Sequence, residues 1–330
     1  MLHLFPLACA TVWLLLAFAQ AAWFFRFRAL QVLALPHPDA LRPAERRRLQ
    51  HYLYGTTYLS VILCTLRGYP RHRREKRLFT NLAALAYFFD DLVDSFRGHD
   101  DTGVLWQDNP EAYGQAADER GLALHFLHHL YREMPPGDLK QFKDFMHRVF
   151  NTETAGRQMD SQPLSITDLA HITAEKGGYS VLLFRRVLAT PLSMAEQTAL
   201  YQFGYLIQLC DDIFDIWHDR QAGVRTLATV FLEQNQVEAL ATLFERQAWK
   251  VRTLLRQLSP QMHGRLSWAS VYYLVTITRL CLRHYGNLQK TQGSLPLDDR
   301  SSMVVDMGRW YYRWRAIRQF FQGSKADFAA

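Results

Sequence analysis

The chain has 330 residues, 49% apolar and 21% charged, with 17 Gly and 12 Pro, which excludes a disordered, collagen-like or low-complexity protein. Its formal net charge of +7 would suit nucleic acid or an anionic surface, but the surplus is local. Residues 26–80 hold 12 Lys or Arg against 3 Asp or Glu, and the remaining chain is slightly acidic, so nucleic-acid binding is not expected. Four cysteines, Cys9, Cys64, Cys210 and Cys281, show no paired spacing and sit in apolar runs, which predicts buried thiols in a reducing compartment. The sequence has no phosphate-binding glycine loop, dinucleotide fingerprint, serine-hydrolase elbow or zinc pattern, and His128-His129 reads as a solvated helix pair.

The first element, Leu4 to Phe25, carries no formal charge, and a helix of that length would extend about 33 Å. Trp23, Phe24 and Phe25 end it, followed by Arg26, Arg28, Arg42 and Arg46 to Arg48, as an aromatic belt precedes a cytoplasmic positive flank. Residues 1–35 are therefore expected to anchor the chain to the cytoplasmic face of a membrane, the basic run touching anionic headgroups. A buried or interface helix in a soluble cytoplasmic protein, or a cleaved signal ending at Ala17-Phe18-Ala19, remains an alternative. The basic group Arg71, Arg73, Arg74, Lys76 and Arg77 reads otherwise as a solvated helix start.

Residues 36–330 form one body whose apolar side chains recur at three- and four-residue spacing. Helices are expected over 43–66, 73–96, 118–132, 137–160, 165–190, 194–220, 224–257, 262–285 and 300–322. Ser193 and Glu196 give a capping-box start, whereas Pro135-Pro136-Gly137 and the stretch from Gly286 to Arg300 read as connections. The expected fold is a single all-α helical bundle.

Acidic residues stand where this pattern calls for apolar ones. The apolar helix from Phe79 to Phe96 contains Asp90, Asp91 and Asp94 on one face. A second, from Tyr201 to Trp217, contains Asp211, Asp212 and Asp215, with Asp219 one turn on. Like charges at this spacing repel, and carboxylates beside a core are costly without a counter-ion. Two such clusters point to magnesium, a hard cation that takes carboxylate oxygens and keeps positions open for phosphate.

Asp90-Asp-Leu-Val-Asp94 and Asp211-Asp-Ile-Phe-Asp215 resemble the two aspartate-rich motifs of class I isoprenoid synthases. Ala84 to Asp94 and Gly156-Arg-Gln-Met-Asp160 are similar to squalene and phytoene synthases. Glu175-Lys-Gly-Gly-Tyr-Ser and Gly204-Tyr-Leu-Ile-Gln-Leu-Cys-Asp-Asp look more like polyprenyl synthetases. The resemblance implies antiparallel helices around a central cavity, with an allylic prenyl diphosphate ionised by about three Mg²⁺ ions on Asp90, Asp91, Asp94, Asp211, Asp212, Asp215 and Asp219. It implies diphosphate contacts from Lys176, Arg225, Arg157, Arg185 and Arg67. Phe88, Phe89, Gln208 and Phe214 would line the cavity, with Tyr87, Tyr205 and Trp217 nearby and Trp310 to Trp314 closing it. A homodimer is a plausible assembly by the same resemblance.

Ser95-Phe-Arg-Gly-His99 lacks the paired arginine and Gly-x-Pro of chain-elongating enzymes, which weakens the grip on a second diphosphate. The expected activity is therefore that of a terpene synthase cyclising or rearranging one prenyl diphosphate. A prenyltransferase, condensing head to head or elongating a chain, is the alternative, followed by a non-catalytic membrane-bound partner subunit.

Overall fold

The structure, a computed structural model, describes residues 4–36, 40–89, 119–158, 164–258 and 262–322. Among them there are helices and connections and no strand. The chain divides into two compact units, one of Val12–Gln158 and Tyr179–Ser193, the other of Met1–Thr11, Met159–Gly178 and Met194–Ala330.

The first unit uses α1 (Leu4–Phe27), α2 (Ala29–Val32), α3 (Pro43–Arg67), α4 (Arg73–Tyr87), α5 (Glu119–Glu133) and α6 (Pro136–Gln158), with the last turns of α7 (Ile166–Arg186). Local chemistry sets the boundaries of α3. Pro43 occupies the first helical position, the Glu45 carboxylate accepts the Arg42 amide at 2.7 Å, and Gly68 closes the helix at φ 83. Glu75 does the same for α4, accepting the His72 amide at 2.7 Å. It also takes two Arg67 hydrogen bonds, at 2.6 and 2.7 Å, and the Ala189 amide at 2.8 Å. Burial opposes its ionisation most strongly, yet Arg67 and the two amides together outweigh that and hold Glu75 at about 2.

In α1, Ala21 and Phe25 are buried one turn apart, and the Phe18 ring lies 5.4 Å from Tyr58 of α3. Arg71 is buried over the rings of Phe24, Phe25 and Phe79, at 5.8, 5.6 and 4.8 Å. It is thus not part of a solvated helix start. Val12, Leu15, Leu16, Trp23 and Phe27 remain exposed. Among the described residues no helix is long and apolar enough to cross a membrane, so the expected spanning anchor over residues 4–25 is not supported. His128 also departs from expectation: it is buried, its ring edge-on to Tyr131.

The second unit holds the start of α7, then α8 (Met194–Phe214), α9 (Ile216–Gln221), α10 (Leu227–Glu233), α11 (Val237–Leu258), α12 (Met262–Gln292), α13 (Arg300–Met303) and α14 (Trp310–Gln322). The helix α8 is packed by α10, α11 and α12, and α12 carries α14 on another face. Four expected helices are broken or shifted for local reasons, among them 194–220, which divides at Asp215. The 224–257 stretch divides where Asn235 adopts φ 56, and Thr226 caps α10 by accepting the Thr229 amide. The 300–322 stretch divides at a turn where Asp306 accepts the Gly308 amide at 2.8 Å. Gly286 does not end α12, which continues to Gln292 and stops before Gly293 at φ 77.

Candidate functional site

Three glycines set the geometry of the second aspartate cluster. A Cβ on Gly177 of α7 would lie 2.1 Å from the Gly204 carbonyl oxygen of α8, and one on Gly204 would lie 2.1 Å from the Gly177 carbonyl oxygen. A Cβ on Gly178 would strike the Tyr201 ring at 2.5 Å. The two backbones therefore touch, and only glycine permits it. This contact brings the α7 residues one turn before it against the α8 residues one turn after it.

Asp212 sits in that seam, 5% exposed. Thr173 Oγ1 donates to its Oδ2 at 3.1 Å, and Gln208 Nε2 donates to its Oδ1 at 3.0 Å and to Asp211 Oδ2 at 3.1 Å. Burial pushes the Asp212 carboxyl up to about 6, and Asp211 adds to the rise. The Gln208 hydrogen bond, the Lys176 ammonium and the Thr173 hydroxyl oppose it. Asp215 marks the interruption between α8 and α9 at φ −93, ψ 10. The backbone still links Asp215 to Asp211 and Asp219 to Asp215, at 2.9 and 2.8 Å. Burial, then the carboxylates of Asp212, Asp215 and Asp211, push Asp219 up to about 7 against the pull of Lys176. Four carboxyl groups thus share one helical stretch, with the Lys176 ammonium nearby. Asp211 and Asp215 face solvent, whereas Tyr205 and Phe214 beside them are half-buried.

The structure thus gathers Lys176, Gln208, Asp211, Asp212, Asp215 and Asp219 in the second unit. Sequence reasoning missed Thr173, although it lies one turn before Lys176 on the same helix. Arg225 is exposed in the connection after α9. Arg67 does not have a free guanidinium: it is spent on Glu75, with both side chains under 5% exposed. Arg185 is buried and donates to the Thr190 and Pro191 carbonyl oxygens at 3.2 Å each, closing the turn after α7. Asp90, Asp91, Asp94 and the Arg157 side chain lie outside the described residues.

Phe88 and Phe89 are buried at the end of α4, where their rings meet Phe126 and Phe150 at 6.2 and 6.4 Å. Tyr87 packs on Tyr52 at 5.8 Å, and Trp217 lies under the Arg300 guanidinium at 5.5 Å. Trp310, Tyr311 and Trp314, expected to close the cavity, are exposed on α14. Among the described residues, no three Asp, Glu, His or Cys side chains form a ready metal site by themselves.

No protein-family model matches the chain, and no curated protein matches it in sequence. A geranyltransferase from Legionella pneumophila has a similar fold, with a TM-score of 0.50 and 14% identity over 85% of this chain and 99% of that one. At that identity the likeness is one of fold, and it agrees with the all-helical isoprenoid synthase architecture that the motifs resemble.

Proposed function

We propose that this protein is an enzyme of allylic prenyl diphosphates, and that it transfers the prenyl group to an acceptor. The observation that carries the reading is Asp212, a buried carboxylate fixed by Thr173 and Gln208 between two helices that touch at Gly177 and Gly204. Magnesium fits the donor chemistry: Asp211, Asp215 and Asp219 offer the hard carboxylate oxygens that it prefers. Asp211, Asp215 and Asp219 would hold the ion, which would neutralise charge on the departing diphosphate. By sequence, Asp90, Asp91 and Asp94 have the same role.

The residues of this chain supply the rest. Thr173 and Gln208 lock the rotamer of Asp212, so the carboxylates keep their register without reorganising. Lys176 provides a cation for diphosphate oxygens. Tyr205 and Phe214 present aromatic faces that keep water from a carbocation and stabilise it, by about 0.5–2 kcal/mol each. Likeness of fold to a geranyltransferase, over nearly its whole length, favours transfer as the reaction. A terpene synthase acting on one substrate is the second reading, favoured by the single arginine of Ser95-Phe-Arg-Gly-His99.

Mass spectrometry of products separates the two. The full chain with Mg²⁺ is given prenyl diphosphates of several lengths, alone and with isopentenyl diphosphate. A longer diphosphate, or a head-to-head dimer, supports transfer. A hydrocarbon or alcohol from one substrate alone supports the second reading and overturns the first.

A further inference from the structure

The terminal helix α14 exposes an apolar face that the fold does not use. Ala316 and Phe320 are buried toward α12, the Phe320 ring lying 5.4 Å from Tyr272 and 6.3 Å from Tyr273. Trp310, Trp314, Ile317 and Phe321 follow at spacings of four, three and four, which puts them in one stripe roughly a quarter-turn from the buried face. They are 71%, 56%, 36% and 47% exposed. Four large apolar side chains in water on one helix mark an interaction surface rather than scattered surface residues.

Charge says what covers it. From Met307 to Gln322 there is no acidic residue, while Arg309, Arg313, Arg315 and Arg318 are all exposed. Arg315 and Arg318, with Arg283 of α12, line an open pocket of about 200 Å³ that also has Gln319, Gln322 and Leu280 in its wall. Arg315 donates to the Tyr311 hydroxyl at 3.2 Å, and none of the three guanidinium groups is paired with a carboxylate among the described residues. A second copy of this face would bring the same arginines together, so self-association through it is disfavoured. Tryptophan beside arginine is the composition of a helix lying in a membrane interface, ring bodies in the acyl boundary and cations at the headgroups.

We propose that α14 docks the protein in the plane of an anionic phospholipid membrane. Trp310, Trp314, Ile317 and Phe321 enter the bilayer surface, and a lipid phosphate occupies the pocket of Arg283, Arg315 and Arg318. The 13 residues of α14 reach about 20 Å, too short to span, so this is a peripheral contact. It does not depend on the proposed reaction.

Vesicle flotation of the full chain tests it, with phosphatidylcholine alone and with a phosphatidylcholine–phosphatidylglycerol mixture. The protein should float with the mixture, not with phosphatidylcholine, and should be released by high salt. Trp314→Glu should lower the partition coefficient at least about tenfold. The double variant Arg315→Gln/Arg318→Gln should lower it about 25-fold, a fivefold factor per charge. Both changes are on the surface and should leave the melting temperature unchanged. Wild-type protein that stays with the aqueous phase, or floats undiminished in both variants, overturns the proposal. So does a dimer by sedimentation that Trp314→Glu dissolves, which would make the stripe a self-interface. Saturable binding of inorganic phosphate that the arginine variant abolishes, with vesicle binding intact, would make the pocket a free-phosphate site and also overturn it.

Discussion

An alanine at Gly204 would place a methyl carbon 2.1 Å from the Gly177 carbonyl oxygen, 2.5 Å from the Gly177 carbonyl carbon and 2.7 Å from the Gly178 Cα. All three are backbone atoms, so no side chain can swing aside. Reaching ordinary contact at 3.4 Å requires α7 and α8 to separate by roughly 1.3 Å. Overpacking of a rigid seam costs about 3 kcal/mol, at the upper end of its usual range. The same movement stretches the Thr173–Asp212 hydrogen bond beyond 3.1 Å and takes Lys176 away from the carboxylates. For a chain of this size the melting temperature should fall by roughly 4 °C. Gly55 provides the opposite control. A Cβ there meets nothing within 4 Å in the middle of α3, so Gly55→Ala should stabilise by about 0.5–1 kcal/mol. Circular-dichroism melting of both variants measures the pair. Gly204→Ala melting within a degree or two of wild type would refute the close seam.

Substituting Asp211 or Asp90 by alanine should each reduce Mg²⁺-dependent turnover at least about a hundredfold, measured as diphosphate release; full activity in either would remove it from the metal set. Glu75 is held at about 2 when folded, against an ordinary 4.5. A depressed carboxyl stabilises the fold above its unfolded pKa, so this contribution, on the order of 3 kcal/mol, should be present at neutral pH and fade as pH falls from about 5 toward 2. Urea unfolding across that range should show the loss, and Glu75→Gln should flatten it. Arg67→Met should cost about 3–5 kcal/mol by leaving Glu75 buried without its cation, and an unchanged unfolding midpoint would contradict the ion pair. Cys210, whose thiol burial pushes up to about 12, should resist alkylation in the native protein and react on unfolding.

Helix positions were readable wherever the period of three to four was clean. The expected spans 43–66, 118–132 and 137–160 stand within two residues of α3, α5 and α6. The misses have conformational causes that apolar spacing does not encode. Asn235 takes a left-handed conformation inside an apolar run, and Asp215 interrupts α8 without altering the side-chain pattern. Gly286 behaves as an ordinary helical residue, because its backbone is not in the left-handed region and a Cβ there would meet only Val237 Cγ1, at 3.9 Å.

At the site, the glycines of Glu175-Lys-Gly-Gly and Gly204 were visible in sequence, and their role as a backbone contact follows only from two helices brought together. The partners of the arginines were invisible for the same reason. Arg67, Arg71 and Arg185 look like surface cations in one dimension, but Glu75, three aromatic rings and two turn carbonyls absorb them in three. The aromatic run from Trp310 to Trp314 reads as a cluster in sequence, but hydrophobicity does not say which face of a helix is covered. Its exposure is a property of how α12 and α14 pack.

The most direct measurement is diphosphate release from an allylic prenyl diphosphate by the full chain, with Mg²⁺ and with a chelator, for wild type and Asp212→Asn. Release that needs Mg²⁺, stops on chelation and falls at least about a hundredfold in Asp212→Asn is the predicted result. No release from any chain length, or release that neither the chelator nor Asp212→Asn diminishes, would contradict the assignment of this aspartate cluster to prenyl diphosphate chemistry.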